Sequence, residues 1–216
     1  MAPDGDTDWA ARRERMVDRL VDRGRIERES TERALREVPR HEFVPASRRG
    51  AAYEDRPLPI GEGQTISAPH MVAVMCDRLA LDPDERVLEV GTGCGYHAAV
   101  TAEIVGPGNV YSVEYHPDLA REAEATLDRL GYDVAVRAGD GREGWSEAAP
   151  FDAAYLTCAA AEFPPRVVQQ VRPGGRLLAP LGRRGQTLVA AWKRADGSLD
   201  REEYGAVRFV PLLGDD

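Results

Sequence analysis

The apolar positions of this chain change their period near residue 85. Before that point they recur at helical spacing. In WAARRERMVDRLVDR, Met16, Val17, Leu20 and Val21 share one face and Gly24 supplies a stop. The pattern predicts a helix from Trp9 to about Arg23. A second is expected from Ser30 to about Val38, with Ser30 as N-cap and Pro39 as terminator. Residues 39–66, rich in proline and glycine, read as irregular. Pro69 then opens a helix with Met71, Val72, Met75, Cys76 and Leu79 on one face. Residues 1–7 are small and polar and read as a frayed end.

After Asp82, short apolar runs alternate with helical stretches. RVLEV (86–90), NVYSVE (109–114), DVAVRAGD (133–140), FDAAYLT (151–157) and GRLLAPLG (175–182) read as strands. GTGCGYHAAVTAEIVG is a glycine loop running into a helix, and PDLAREAEATLDRLG and FPPRVVQQV are further helices. QTLVAAWKR (186–194) and a run ending in AVRFVPLL (206–213) close the chain with no helix between them, so they should pair antiparallel. This alternation builds parallel βαβ units. The expected fold class is α/β and Rossmann-like. It has a mostly parallel seven-stranded sheet, helices on both faces and an N-terminal helical extension. At 216 residues the chain is expected to be one domain, with 1–68 as the extension and 69–216 as the α/β core.

Composition narrows the classes. No apolar run approaches the roughly 20 residues that cross a bilayer, and the first 25 residues carry no secretory segment. Cys76, Cys94 and Cys158 form no CxxC, which suits a reducing cytoplasm. A net charge of −9 repels phosphate backbones, so neither nucleic acid nor membrane is expected as a partner. Lys193 is the only lysine among 28 basic residues. A GC-rich genome and a salt-adapted cytoplasm each account for that.

The chemistry starts at VLEVGTGCGY (87–96), where a strand runs through Gly91, Gly93 and Gly95 into a helix. Such a loop lets a ligand approach the backbone. Dinucleotide folds use G-x-G-x-x-G here; Tyr96 stands in the slot of the third glycine, which disfavours NAD. The next strand ends in Glu114, suited to accept from both ribose hydroxyls of a nucleoside. The third ends at Asp140 and Gly141, with the aspartate suited to an adenine amino group. Together these suit S-adenosylmethionine, although each acid alone also fits a polar strand end. The fourth strand is followed by LTCAAAEFPP (156–165), not the Asn/Asp-Pro-Pro-aromatic turn of enzymes that methylate amide or adenine nitrogens.

GEGQTISAPH (61–70) gathers hydroxyls and glycines at a helix start without a metal-ligand cluster or an acid–base pair. Its hydroxyls and free N–H groups suit a carboxylate, next to the positive end of a helix. From the residues alone, Ser67 serves equally as a plain N-cap. His70 and His97 read as structural, Trp145 as packing, and Cys94 lacks a nearby base.

The chain resembles the protein-L-isoaspartate (D-aspartate) O-methyltransferase family from about Met16 to Gly214. The resemblance is carried by VPRHEFVP (38–45), AYEDRPLPIGEGQTISAPHMVAVM (52–75), LEVGTGCGYHAAV (88–100), GDGREGW (139–145), APFD (149–152), RPGGRLLAPLG (172–182) and VRFVPLLG (207–214). It implies a class I methyltransferase that uses S-adenosylmethionine to esterify the α-carboxylate of isoaspartyl residues in peptides and damaged proteins, as a cytoplasmic monomer. The ester then cyclises to a succinimide. The acceptor arrives ionised and the sulfonium arrives activated, so the protein is expected to position and not to move protons. The resemblance makes Ser67 the active-site serine. It places cofactor contacts at the 91–95 loop (Gly91, Thr92, Gly93, Cys94, Gly95) and at Glu114 and the Asp140 turn, with Gly141 and Arg142. Thr65, Ile66, Ser67, Glu89, Tyr115 and Thr157 complete that set, and Ile60, Gln64, Thr65, Ser67, Val210 and Leu212 are the candidate acceptor contacts. This sequence has Cys94 where the family commonly has serine, and Ala160-Ala161 where it has Ala-Pro. Two other readings stay open at this point: a carboxyl methyltransferase acting on ordinary aspartate of one dedicated peptide, and a non-catalytic cofactor-binding adaptor.

Overall fold

Residues 8–214 are described by the computed structural model; the expected frayed segment 1–7 lies outside the described residues. Helices α1 (Trp9–Asp22) and α2 (Glu29–Glu37) come first, followed by two 3-10 turns, a hairpin of β1 (Leu58–Gly61) and β2 (Gln64–Ile66), and α3 (Pro69–Leu79). Then the chain alternates: β3 (Val87–Val90), α4 (Tyr96–Val105), β4 (Val110–Glu114), α5 (Pro117–Leu130), β5 (Val134–Ala138), β6 (Phe151–Leu156), α6 (Pro165–Gln170) and β7 (Val171–Leu181). Strands β8 (Gln186–Lys193) and β9 (Leu199–Val207) finish it.

The large sheet has the order β5-β4-β3-β6-β7-β8-β9. Its first five strands are parallel, and β8 runs antiparallel to both of its neighbours. Alternate residues face alternate cores, as the pleat requires. Val87, Tyr155, Leu178 and Leu188 pack with α1–α4, whereas Leu88, Leu156, Leu177 and Val189 pack with Phe163 and Val167 of the α6 side. Every one of these is buried, and each large aliphatic contributes roughly 1.5–3 kcal/mol.

Three elements differ from expectation. Helix α2 begins at Glu29 with Arg28 as N-cap and no side-chain cap, so Ser30 sits inside the first turn. Glu29 and Glu32 there complement the helix dipole instead. The stretch read as irregular holds the β1–β2 hairpin, turned by Glu62 and Gly63 with φ of 49° and 70°. Both positive angles give the primed turn that matches strand twist. Finally, β9 is the polar LDREEYGAV, an exposed edge strand, and the apolar Phe209–Leu213 leaves the sheet. The Gln186 side chain holds that exit, accepting from Phe209 N–H (2.6 Å) and donating to its carbonyl (3.0 Å).

Candidate active site

Strand β3 is the topological switch point: the chain passes to β4 and β5 on one side and returns to β6 on the other. Open α/β sheets bind ligands in the crevice outside the carboxyl ends of such strands. A cleft of about 710 Å³, its open mouth included, lies there. Its walls bring together three segments far apart in sequence. The glycine loop and strand ends supply Gly91, Thr92, Gly93, Cys94, Glu114, Tyr115, Gly141 and Thr157. The hairpin side supplies Gln64, Thr65, Ile66 and Ser67, and the C-terminal exit supplies Val210 and Leu212.

The loop is knitted to its neighbours by Gly91 N–H to the Val113 carbonyl and Thr157 N–H to the Val90 carbonyl. Gly91 has φ +98°, and a Cβ there would collide with Thr157 Oγ1, whose hydroxyl donates to the Gly91 carbonyl. Glu114 is 5% exposed and held rigidly: Oε2 accepts from Gly93 N–H (2.8 Å) and Oε1 from His116 N–H (3.0 Å). Its remaining lone pairs are available to ligand hydroxyls. Helix α4 starts directly after the loop, so its positive end opens on the cavity. A bare-backbone cradle, a fixed carboxylate and a helix N-terminus fit the ribose and the amino-acid carboxylate of S-adenosylmethionine.

On the hairpin side, Ser67 is not the cap of a helix. The N-cap of α3 is Ala68, with no side-chain capping bond. Asp55 does that work from a distance, accepting from His70 N–H (3.0 Å) while pairing with the His70 ring (2.8 Å). His70 is therefore structural. Ser67, half-buried, lines the cavity without capping a helix.

Other sequence candidates lie elsewhere. Ile60 lines a second cleft on the far side of Gly93 and Cys94. Asp140 turns on Arg142, accepting its backbone N–H (2.9 Å) and its guanidinium (2.8 Å), which holds its carboxyl below the usual range; of that turn only Gly141 faces the cavity. Gly95 is buried as the left-handed cap of α4, against Leu127. Glu89 lies beneath the loop with no exposure. Conversely, Tyr96, His97 and His116 line the cavity although sequence reasoning gave them no part in it, and so does Cys158, in the turn after the fourth strand where this sequence departs from the family's small residue. Spacing from Gly95 put Tyr96 and His97 in the first turn of α4, and that was the only signal they offered.

Glu89 accepts from the hydroxyls of Ser112 and Tyr155, the latter at 2.9 Å. Those hydroxyls also contact Thr92 Oγ1 (2.6 Å) and Thr101 Oγ1 (2.9 Å). Burial pushes the carboxyl up to about 8, against an ordinary value of 4.5. A raised carboxyl pKa contributes stability that is fully present below the unfolded value and is lost as pH rises through the folded one. Glu89→Gln, neutral at every pH, is thus expected to gain thermal stability relative to the parent between about pH 5 and about pH 8. Melting curves check this, and parallel pH dependences of the two proteins would refute it.

Comparison with known proteins gives the family. The family model for protein-L-isoaspartate (D-aspartate) O-methyltransferase matches residues 11–216. Protein-L-isoaspartate O-methyltransferase 2 of Archaeoglobus fulgidus is 51% identical, with 96% of this chain and 95% of the relative covered. The Methanococcus aeolicus protein-L-isoaspartate O-methyltransferase is 48% identical over 93% and 94%. A solved protein-L-isoaspartate O-methyltransferase superposes with a TM-score of 0.85 at 31% identity, covering 94% of this chain and 66% of that one. A Plasmodium falciparum chain of the same description, in complex with S-adenosyl-L-homocysteine, gives 0.83 at 25% identity over 93% and 98%. With the glycine loop, Glu114 and the TISAPH segment converging on one cavity, this chain belongs to the protein-L-isoaspartate (D-aspartate) O-methyltransferase family.

Proposed function

We infer that this protein methylates the free α-carboxylate of L-isoaspartyl residues in polypeptides, using S-adenosylmethionine, and so begins the return of damaged segments to normal aspartate. The observation that carries this reading is the cavity in which Ser67, not used as a helix cap, faces the same space as the glycine loop and Glu114. S-adenosylmethionine supplies a methyl group on a sulfonium already primed to leave. Glu114 and the loop backbone hold the ribose. Ser67 donates to the acceptor carboxylate, with the N-terminal end of α3 behind it. Thr65 and Gln64 line the cavity beside Ser67, as do Val210 and Leu212 of the C-terminal exit. The 210–212 segment is pinned by Ala159 N–H to the Val210 carbonyl (2.7 Å) and Leu212 N–H to the Ala159 carbonyl (2.8 Å). Positioning of this type lowers a barrier by roughly 7–11 kcal/mol in favourable systems, with no proton moved.

The chain works as one methyltransferase unit and a cytoplasmic monomer, the described residues of the 1–68 extension forming part of the acceptor cleft and those of 69–216 the cofactor core. Among the described residues no helix is long and apolar enough to cross a membrane. Its partners are flexible isoaspartyl peptides and aged proteins, with no nucleic acid involved. Labelled S-adenosylmethionine offered to matched peptides tests this: the isoaspartyl peptide should take label and its aspartyl twin should not. Equal labelling of both would indicate a dedicated aspartyl enzyme, and labelling of neither a binding protein.

A further inference from the structure

Arg40 follows Pro39 in the 3-10 turn between α2 and the hairpin, and it has no solvent exposure. Its Nε donates to the Ala52 carbonyl (2.8 Å) and its Nη2 to the Ser67 carbonyl (2.8 Å). The guanidinium lies over the Tyr96 ring, 4.8 Å from its centroid. Its Nη1 is buried without a hydrogen-bond partner. The groups acting on this cation are two carbonyl oxygens, Tyr96 with its ring and hydroxyl, Tyr53 and Cys94; none is a carboxylate. A side chain that only fills space needs no charge, and a buried charge without a counter-ion is costly.

The two ends of this contact both line the cavity, from different elements. Ser67 sits on the acceptor segment before α3, and Tyr96 opens α4 directly after the glycine loop. Drawing the Ser67 carbonyl toward Arg40 fixes the peptide plane on which the Ser67 side chain stands. We propose that Arg40 is a positioning residue for the acceptor: through the Ser67 carbonyl it sets the direction of the Ser67 hydroxyl relative to the Tyr96 wall, and it places an unneutralised positive charge behind the carboxylate site. The inference rests on the functional reading above, since it presumes an anionic acceptor at Ser67.

Arg40→Lys and Arg40→Met test it, each alone and combined with Ser67→Ala. Three quantities are needed: kcat/KM with an isoaspartyl peptide, the Kd for S-adenosylhomocysteine by calorimetry, and Tm. Arg40→Lys is expected to lose at least about 30-fold in kcat/KM while its Kd for S-adenosylhomocysteine stays within about threefold of the parent. In the Ser67→Ala background the same substitution should cost less than about threefold, because residues acting through one another are non-additive. Additive losses in the double variant would overturn the proposal. So would an unchanged kcat/KM, a loss of S-adenosylhomocysteine affinity as large as the loss in kcat/KM, or failure of both single variants to fold. The parent protein separates this from the functional reading. If the parent labels only the aspartyl peptide, that reading falls and the Arg40 comparison is made on the peptide labelled.

Discussion

Gly91→Ala is expected to weaken S-adenosylhomocysteine binding at least about a hundredfold, which is about 2.7 kcal/mol at 25 °C. Two effects add. At φ +98° a non-glycine residue carries strain of roughly 1–3 kcal/mol. The new methyl would also press on Thr157 Oγ1, the group that anchors the end of β6 to the loop. Either the loop shifts or Thr157 does, and both line the ligand cavity. Calorimetric titration measures the loss, and two companion variants divide it. In Gly91→Ala/Thr157→Ala the collision is relieved and the backbone strain is not, so part of the affinity should return. Gly131→Ala has a similar φ, +82°, but nothing within 4 Å of the added methyl, and it caps α5 far from the cavity lining. It should lower Tm and leave the Kd unchanged. If Gly91→Ala binds like the parent, the loop is not the cofactor cradle.

The parallel core was legible in the sequence because the strands at its centre are apolar on both sides. Val87, Leu88 and Val90 of β3 are all buried, with Glu89 the single polar interruption, so continuous apolar runs bounded by glycine marked them plainly. The periphery was less legible for stated reasons. Strand β9 is an edge exposed along most of both faces, and its LDREEYGAV lacks an alternating pattern. Of the apolar FVPLL that drew attention instead, residues 210–213 wall the cavity and Phe209 packs on the core. The hairpin was hidden by Glu62, a residue that seldom takes positive φ at a turn. At the site, Gly91, Glu114 and Ser67 were visible as motif residues. Arg40 stood inside VPRHEFVP, but nothing local marks that one arginine among 27 as the one with no exposure. His97 and His116 reach the cavity only through the placement of α4 and of the turn after β4, which is a tertiary fact.

Ser67→Ala is expected to reduce kcat/KM for an isoaspartyl peptide by roughly 10- to 150-fold, the value of 1.5–3 kcal/mol for a hydrogen bond to a charged group. It should shift Tm little, because the cap of α3 is Ala68 and not the serine hydroxyl. The reverse pattern, intact turnover with a large fall in Tm, would make Ser67 structural. The pH dependence sharpens the argument. The acceptor carboxyl has an ordinary pKa of about 4, so kcat/KM at saturating S-adenosylmethionine should be flat from about pH 6 to about pH 8. His97 does not interrupt that plateau: burial pushes it down to about 3, so it stays neutral throughout. Glu89, pushed up to about 8 by burial, titrates at the upper edge but lies beneath the loop, outside the cavity lining. His116 is the remaining imidazole on the wall, its Nδ1 3.8 Å from Glu62. An enzyme base would make the rate fall as the pH is lowered. If such a fall appears in the parent and vanishes together with turnover in His116→Asn, the enzyme takes a proton from its acceptor. A flat profile in both proteins, with Ser67→Ala lowering the plateau without tilting it, is the outcome expected when the acceptor arrives already ionised.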